Sequence, residues 1–301
     1  MFFFKKKHPY TKQLTISAPK PAPDRAGVAI VACVKNEADY LSEWLRFHEM
    51  IGVRHFYIYL DQCEDESEQI LKSHSGSAEI TIIPWAGRMI DTPTSKLLNS
   101  QVIAFSHAIQ NFGAKYRWMA FIDADEFLLP KTGASLEEAL KGAQGFPNIS
   151  LPWHMFGPGG HLSKPEGGVL RNYSQRAANP LTNKKNVRNY KCIVDPCAVS
   201  EVSVHHFSTV EHGEMTSNDQ GVAYSRKGRK EPSFYSASHI QLNHYYSKSR
   251  EELDRKLARG PASPASRARY ADRVLSAVEN IESDLVEDRS MINFLDQIGF
   301  K

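Results

Sequence analysis

Trp118-Met-Ala-Phe-Ile-Asp-Ala-Asp-Glu-Phe127 changes character at its centre: the run Arg117–Ile122 is largely apolar, and Asp123, Asp125 and Glu126 follow at once. An apolar run of that length suits a strand covered on both faces, as in a parallel sheet. Side chains two apart on a strand point the same way, so Asp123 and Asp125 present their carboxylates together. Upstream, Val28-Ala-Ile-Val-Ala-Cys-Val34 is a second such run, and Tyr40, Leu41, Trp44, Leu45, His48 and Ile51 then recur at helical spacing until Gly52. Asn36, with Asp39 three residues on, reads as the cap of that helix. His55–Leu60 reads as the next strand, Glu66–Ser73 as a short helix and Ala78–Ile83 as a third strand. Ser95–Phe112 carries Leu98, Val102, Phe105, Ile109 and Phe112 on one helical face, and Ser135 with Glu138 opens another short helix. Strands alternating with helices predict an α/β fold, a Rossmann-like and mostly parallel sheet with helices on both faces. Such sheets bind ligands at the carboxyl ends of their strands. Val34-Lys-Asn-Glu37, Asp61 and the Asp123–Glu126 cluster all fall there.

The regular alternation fades over about residues 145–245, a region read as mixed structure covering the site. Helix returns at Ser249, which forms a capping box with Glu252, and Gly260-Pro261 ends it. Ala265 to about Gln297 reads as one or two helices. The predicted organisation is a flexible leader over 1–26, stiffened by Pro19, Pro21 and Pro23 in its last part, a main domain over 27–260 and a C-terminal helical extension over 261–301.

Net charge is +3, from 37 basic and 34 acidic residues, too balanced for a nucleic-acid binder. The opening Met1-Phe-Phe-Phe-Lys-Lys-Lys7 is too short for a signal peptide and has its charges on the wrong side of the apolar patch. No stretch reaches the roughly 18 apolar residues of a membrane span. The expectation is a cytoplasmic protein with a frayed N-terminus, the alternative being weak peripheral contact of its Phe and Lys residues with a membrane's inner face. Cys33, Cys63, Cys192 and Cys197 match no zinc spacing and read as reduced structural thiols.

Asp123 and Asp125 supply the hard oxygens that Mg²⁺ or Mn²⁺ takes while also holding a diphosphate. His244 is the expected third ligand, with His205 as the alternative. Lys248, four residues beyond His244, and Lys191 suit phosphate oxygens, and Arg188 less so. Val34, Asn36, Glu37 and Asp61 line the expected nucleoside end, where a helix N-terminus also favours anions. Trp153, in the Gly- and aromatic-rich stretch up to His161, is the candidate platform for an acceptor sugar, with Glu126 assigned beside it. A general base is not singled out, and His154, Glu211 and Asp219 are the candidates.

Together these residues carry a resemblance. Val31-Ala-Cys-Val-Lys-Asn-Glu37, Leu60-Asp61, Gln101, Trp118–Phe127, Trp153-His-Met-Phe-Gly157, Lys191-Cys-Ile-Val194, His205-His206 and Asn243-His-Tyr-Tyr-Ser-Lys-Ser249 resemble, in that order, glycosyltransferase family 92 and related family-2-like bacterial enzymes. The likeness runs over roughly 28–260. It implies a GT-A fold, a nucleotide-diphosphate sugar donor, with a uridine-diphosphate sugar the first expectation, and a divalent metal at Asp123 and Asp125. It also implies transfer with inversion to a glycan or lipid-linked acceptor, and Glu37 and Asp61 near the nucleoside. Where many relatives carry an acidic residue after the Trp–Gly loop, this chain reads Val169-Leu-Arg-Asn-Tyr173. Two rival classes share the carboxylates: a nucleotidyl or phosphoryl transferase, for which Lys35-Asn-Glu-Ala38 is no Gly-rich loop, and a non-catalytic sugar-binding relative. A phosphatase of the haloacid dehalogenase type would want its aspartates on the first strand.

Overall fold

The computed structural model describes residues 10–260 and 269–300. The first strand, β1, is Val28–Val34, as its unbroken apolar run predicts. After it come α1 (Ala38–Met50), β2 (Val53–Leu60), α2 (Ser67–Ser73), β3 (Glu79–Pro84), α3 (Ser100–Phe112) and β4 (Trp118–Phe121). Strands β3, β2, β1 and β4 lie side by side in that order, all parallel. Because side chains alternate, Val28, Ile30, Ala32 and Val34 enter the core under α1, while Ala29 and Val31 enter the one under α3. The sheet is thus wound on both faces, as expected.

Beyond β4 come β5 (Glu126–Pro130), α4 (Leu136–Leu140), β6 (Asn148–Phe156), β7 (Tyr190–Val194) and β8 (Ile240–Tyr245). Strand β7 joins β4 antiparallel and passes the sheet on to β6, which therefore runs parallel to β4. The sheet forks within β6. Residues Asn148–Pro152 pair with β7, whereas Trp153–Phe156 pair in parallel with β8, whose other edge takes β5. This is the GT-A arrangement that was expected, a parallel half continued by a mixed half. Parallel register brings the carboxyl ends of β1, β2, β4 and β8 to one rim, and the start of antiparallel β7 to the same rim.

Several local expectations change. Asn36 does not cap α1: Glu37 holds the N-cap position without a side-chain bond, and Asn36 Oδ1 instead accepts from the Glu64 amide at 2.8 Å. Helix α3 starts five residues later than read, because Asn99 accepts from the Gln101 and Val102 amides and Lys96–Leu98 is strand. The described part of the leader is pinned: Gln13–Thr15 pairs with Val199–Ser203, and Arg25 ion-pairs with Asp195. Ser249 caps α5 (Arg250–Arg259) with the predicted capping box. The C-terminal part holds α6 (Tyr270–Glu282), β9 (Leu285–Glu287) and α7 (Ser290–Ile298). Met291, Phe294 and Leu295 of α7 join the same core cluster as α1, so this part packs as continuous with the sheet domain. All four cysteines are unpaired. No helix among the described residues is long and apolar enough to cross a membrane. The N-terminal Phe2–Lys7 patch and the start of the expected helix at Ala265 lie outside the described residues.

Candidate functional site

Asp123 leaves the end of β4 with both oxygens engaged. Its Oδ1 accepts from Gln101 Nε2 at 2.8 Å, and its Oδ2 lies 2.8 Å from Lys191 Nζ. Burial is the largest influence and would raise this carboxyl, but Lys191, with His205 adding, leaves it below the ordinary aspartate range. Asp125 faces different partners: Oδ2 lies 3.4 Å from His244 Nε2 and 3.4 Å from Lys256 Nζ. Burial opposes ionisation there as well, yet the imidazole and the lysines keep Asp125 well below the usual range. The pairing is built into the backbone, since the Tyr245 amide donates to the Asp125 carbonyl at 2.9 Å and His244 sits opposite Glu126 in the β5–β8 ladder.

Glu126 is wholly buried and stands behind the two aspartates rather than at their open side. Its Oε2 accepts from the Asp123 amide at 2.8 Å. Burial lifts its carboxyl well above the ordinary glutamate range, with Lys191 opposing and the neighbouring aspartates adding to the rise. The expected contact between Glu126 and an acceptor is therefore corrected: a side chain without accessible surface braces the loop.

Of the two imidazoles weighed for a metal, His244 is the one on Asp125. Burial lowers its pKa, which favours the uncharged ring a metal requires. His205 has Nδ1 3.0 Å from the Tyr190 carbonyl, so Nδ1 carries the proton and Nε2 the lone pair; burial depresses its pKa to about 3. Trp153, at the fork in β6, lies edge-on between them, its ring 4.5 Å from His244 and 5.5 Å from His205. Asp125 Oδ2 and His244 Nε2 stand about as far apart as adjacent ligands of one octahedral ion, for which about 3 Å is ideal. The Asp123 Oδ2 is taken by Lys191. Among the described residues no three His, Cys, Asp or Glu side chains already close on one point.

Basic side chains line the other side of the rim. Lys248 is buried, its ammonium 3.9 Å from the centre of the Tyr40 ring, and it makes no ion pair or hydrogen bond among the described residues. Burial lowers its pKa, against Asp125 and Glu37. Its φ is 54°, and Asn36 (53°) and Gln62 (48°), just past β1 and β2, share that left-handed conformation. A non-glycine residue there costs on the order of 1 kcal/mol, and three at strand ends of one rim mark it as a shaped edge. Arg259 Nη1 donates to the carbonyls of Lys35 and Asn36 at 3.0 and 2.7 Å and to Glu37 Oε1 at 2.7 Å, tying α5 to the end of β1. Asp61 follows β2 on the same rim, its amide donating to the Val34 carbonyl at 2.8 Å.

The structure therefore brings together Val34, Asn36, Glu37, Asp61, Asp123, Asp125, Trp153, Lys191, His205, His244 and Lys248. It does not bring the base candidates there. His154 points to the opposite face of β6 from Trp153 and bonds Tyr235 at 3.0 Å. Asp219 accepts from the amides of His239 and Ile240 through Oδ2, which places it at the start of β8 rather than its end. Glu211 is an exposed turn residue beyond Phe207–Thr209. Arg188 is also elsewhere, on the Leu181 carbonyl and Asn183. The Val169–Tyr173 stretch serves as a brace: Glu43 accepts from the amides of Val169 and Leu170, and Tyr173 donates to Glu252 at 2.6 Å. Lys256 and Arg259 were not anticipated. Their only signal was an i, i+3 spacing on the capped helix that follows His244 and Lys248.

Comparison with known proteins places this rim in a family. Over 222 residues the chain is 28% identical to a glycosyltransferase family 92 protein of Oryza sativa subsp. japonica, an alignment covering 69% of this chain and 35% of that protein. Similar proteins of the same description occur in Ricinus communis (26% over 205 residues; 65% and 34%) and Arabidopsis thaliana (28% over 205 residues; 62% and 33%). The chain spans about a third of the length of these curated relatives. Among solved structures, S. aureus TarS 1-349 in complex with UDP aligns with a TM-score of 0.31 at 13% identity, over 57% of this chain and 47% of that one. The model of glycosyltransferase family 92 matches residues 28–276, which include every rim residue named above, and the chain belongs to that family.

Proposed function

We propose that the chain transfers a hexose from a nucleotide-diphosphate sugar, a uridine-diphosphate sugar first among them, to a hydroxyl of a glycan or lipid-linked acceptor. The reading includes inversion at the anomeric carbon and a requirement for Mn²⁺ or Mg²⁺. One observation carries it: Asp125, His244 and Lys248, which has no ion pair among the described residues, gather at the rim where β4 and β8 end. Asp125 and His244, with Asp123, would hold the ion. Bound there, it would neutralise charge on the departing diphosphate as a Lewis acid. Gln101 and Lys191 fix the Asp123 rotamer, and Lys248 supplies a positive charge for a phosphate oxygen. Asp61, Val34 and Glu37 would flank the nucleoside, and Trp153 the acceptor sugar. His205 replaces the three earlier base candidates, since it borders Trp153 with an unprotonated Nε2. A cytoplasmic setting near a membrane surface goes with this reading.

Calorimetric titration of UDP and of uridine, each with and without Mn²⁺, tests it. UDP should bind with Mn²⁺ and far more weakly without it. Asp125→Asn should remove the Mn²⁺ effect and all donor turnover across a panel of UDP-hexoses while the melting temperature barely moves. UDP binding that ignores Mn²⁺ in the natural chain would favour a sugar-binding relative, and turnover by Asp125→Asn would reject the metal role.

A further inference from the structure

Asp125 Oδ2 is shared by two side chains from one C-terminal stretch, His244 and Lys256, each at 3.4 Å. Lys256 is held there by a second anchor, as its Nζ donates to the Tyr246 carbonyl at 2.7 Å and lies 4.0 Å from the centre of the Tyr246 ring. The ammonium thus sits against the oxygen that a divalent ion would need. A doubly charged ion and an ammonium on one poorly solvated carboxylate oxygen repel each other strongly, so metal loading favours displacement of the ammonium. Lysine's long, flexible stem lets its ammonium move several ångströms without moving the helix.

The charge balance says where it would go. Lys191 pairs with Asp123, Lys256 with Asp125 and Arg259 with Glu37, so three cations already stand against three carboxylates at this rim. A divalent ion would add two positive charges there, and the diphosphate of a nucleotide sugar supplies two negative ones. The Lys248 ammonium lies over the Tyr40 ring, near enough to Asp125 and Glu37 for both to act on it, and makes no ion pair among the described residues. An anion that meets Lys248 is within reach of a lysine displaced from Asp125.

Building on the metal and diphosphate reading above, we propose that Lys256 is a placeholder cation: it occupies Asp125 in the empty enzyme and passes to the donor's diphosphate on metal loading. A purely structural lysine would not act on metal and nucleotide in opposite directions. Lys256→Met keeps the stem and removes the charge, so it separates the two roles. In the full chain, this variant should bind Mn²⁺ alone roughly 3- to 10-fold more tightly, having lost a competitor. At saturating Mn²⁺ it should bind UDP roughly 10-fold more weakly, with uridine affinity unchanged. Lys256→Arg, which retains the charge, should keep UDP affinity within about threefold. Mn²⁺ and UDP affinities that shift together, or not at all, in a Lys256→Met chain that still binds uridine would overturn the placeholder role alone. A natural chain that takes up no UDP at any Mn²⁺ concentration would overturn the donor reading beneath it.

Discussion

Gln101 Nε2 reaches across from the first turn of α3 to donate to Asp123 Oδ1 at 2.8 Å, so the first aspartate is gripped from two sides, by a helix amide and by Lys191 of β7. Neither grip would act on the nucleotide directly. Each removes rotamer freedom from a carboxylate that must hold one orientation. Outer partners of this kind are typically worth 10- to 100-fold in metal affinity. Gln101→Ala should therefore weaken Mn²⁺-dependent UDP binding about tenfold with little effect on the melting temperature, because Gln101 is only partly buried. Unchanged UDP titration in this variant would mean that Lys191 alone orients Asp123.

The two imidazoles beside Trp153 should separate cleanly. His244 lies on Asp125, whereas the Nδ1 of His205 is committed to the Tyr190 carbonyl. His244→Ala should lower Mn²⁺-dependent UDP affinity by at least about tenfold, and His205→Ala should leave it within about threefold while slowing donor turnover. The reverse ranking, measured by the same titration, would hand the metal position to His205.

What could be read in the sequence followed burial. β1 and β4 announce themselves because both of their faces are covered, which leaves no polar residue to blur the run. β6 was illegible for the opposite reason. It contains Pro152 and the buried polar residues Asn148, Ser150 and His154, each of which finds at least one specific partner, such as the Phe207 carbonyl for Asn148 Nδ2 at 2.8 Å. No periodicity encodes a partner 59 residues away. Among the base candidates, His154 is turned from the rim by direction: it and Trp153 are neighbours in sequence but occupy opposite faces of one strand. Lys256 and Arg259 were hidden among ordinary helix charges, since only the docking of α5 against β1 and Asp125 gives them a target.

That docking depends on Glu252. The Ser249 amide and hydroxyl and the Tyr173 hydroxyl all donate to its Oε2, and the Tyr40 hydroxyl donates to Oε1 at 2.8 Å. Ser249→Ala removes the cap and should cost about 1 kcal/mol, lowering the melting temperature by roughly 2–4 °C. Glu252→Ala also takes the acceptor from the buried Tyr173 hydroxyl and the half-buried Tyr40 hydroxyl, and should cost about 3 kcal/mol. Because Tyr40 also carries Lys248 on its ring face, this variant should weaken UDP binding while Ser249→Ala largely spares it. Equal UDP affinities in the two variants would detach the helix cap from the phosphate end of the rim.

Asp288 ties the C-terminal strand to β8 from the face away from the site. Its Oδ2 accepts from Arg176 Nε at 2.7 Å and Gln241 Nε2 at 3.0 Å, and its Oδ1 accepts from the Ser290 amide at 2.9 Å. Burial would raise this carboxyl, but these donors, Arg176 first, hold it far below the ordinary range. A folded-state value below the unfolded one of about 3.9 makes the contribution complete above that pH and lost as pH falls through the folded value. Asp288→Asn should thus cost about 3 kcal/mol at pH 7, by leaving Arg176 without its charge partner. The difference in melting temperature from the natural chain should shrink as the pH drops below about 4. A difference that stays constant from pH 7 to pH 3 would show that hydrogen bonding alone, and not the charge on Asp288, holds β9 against the sheet.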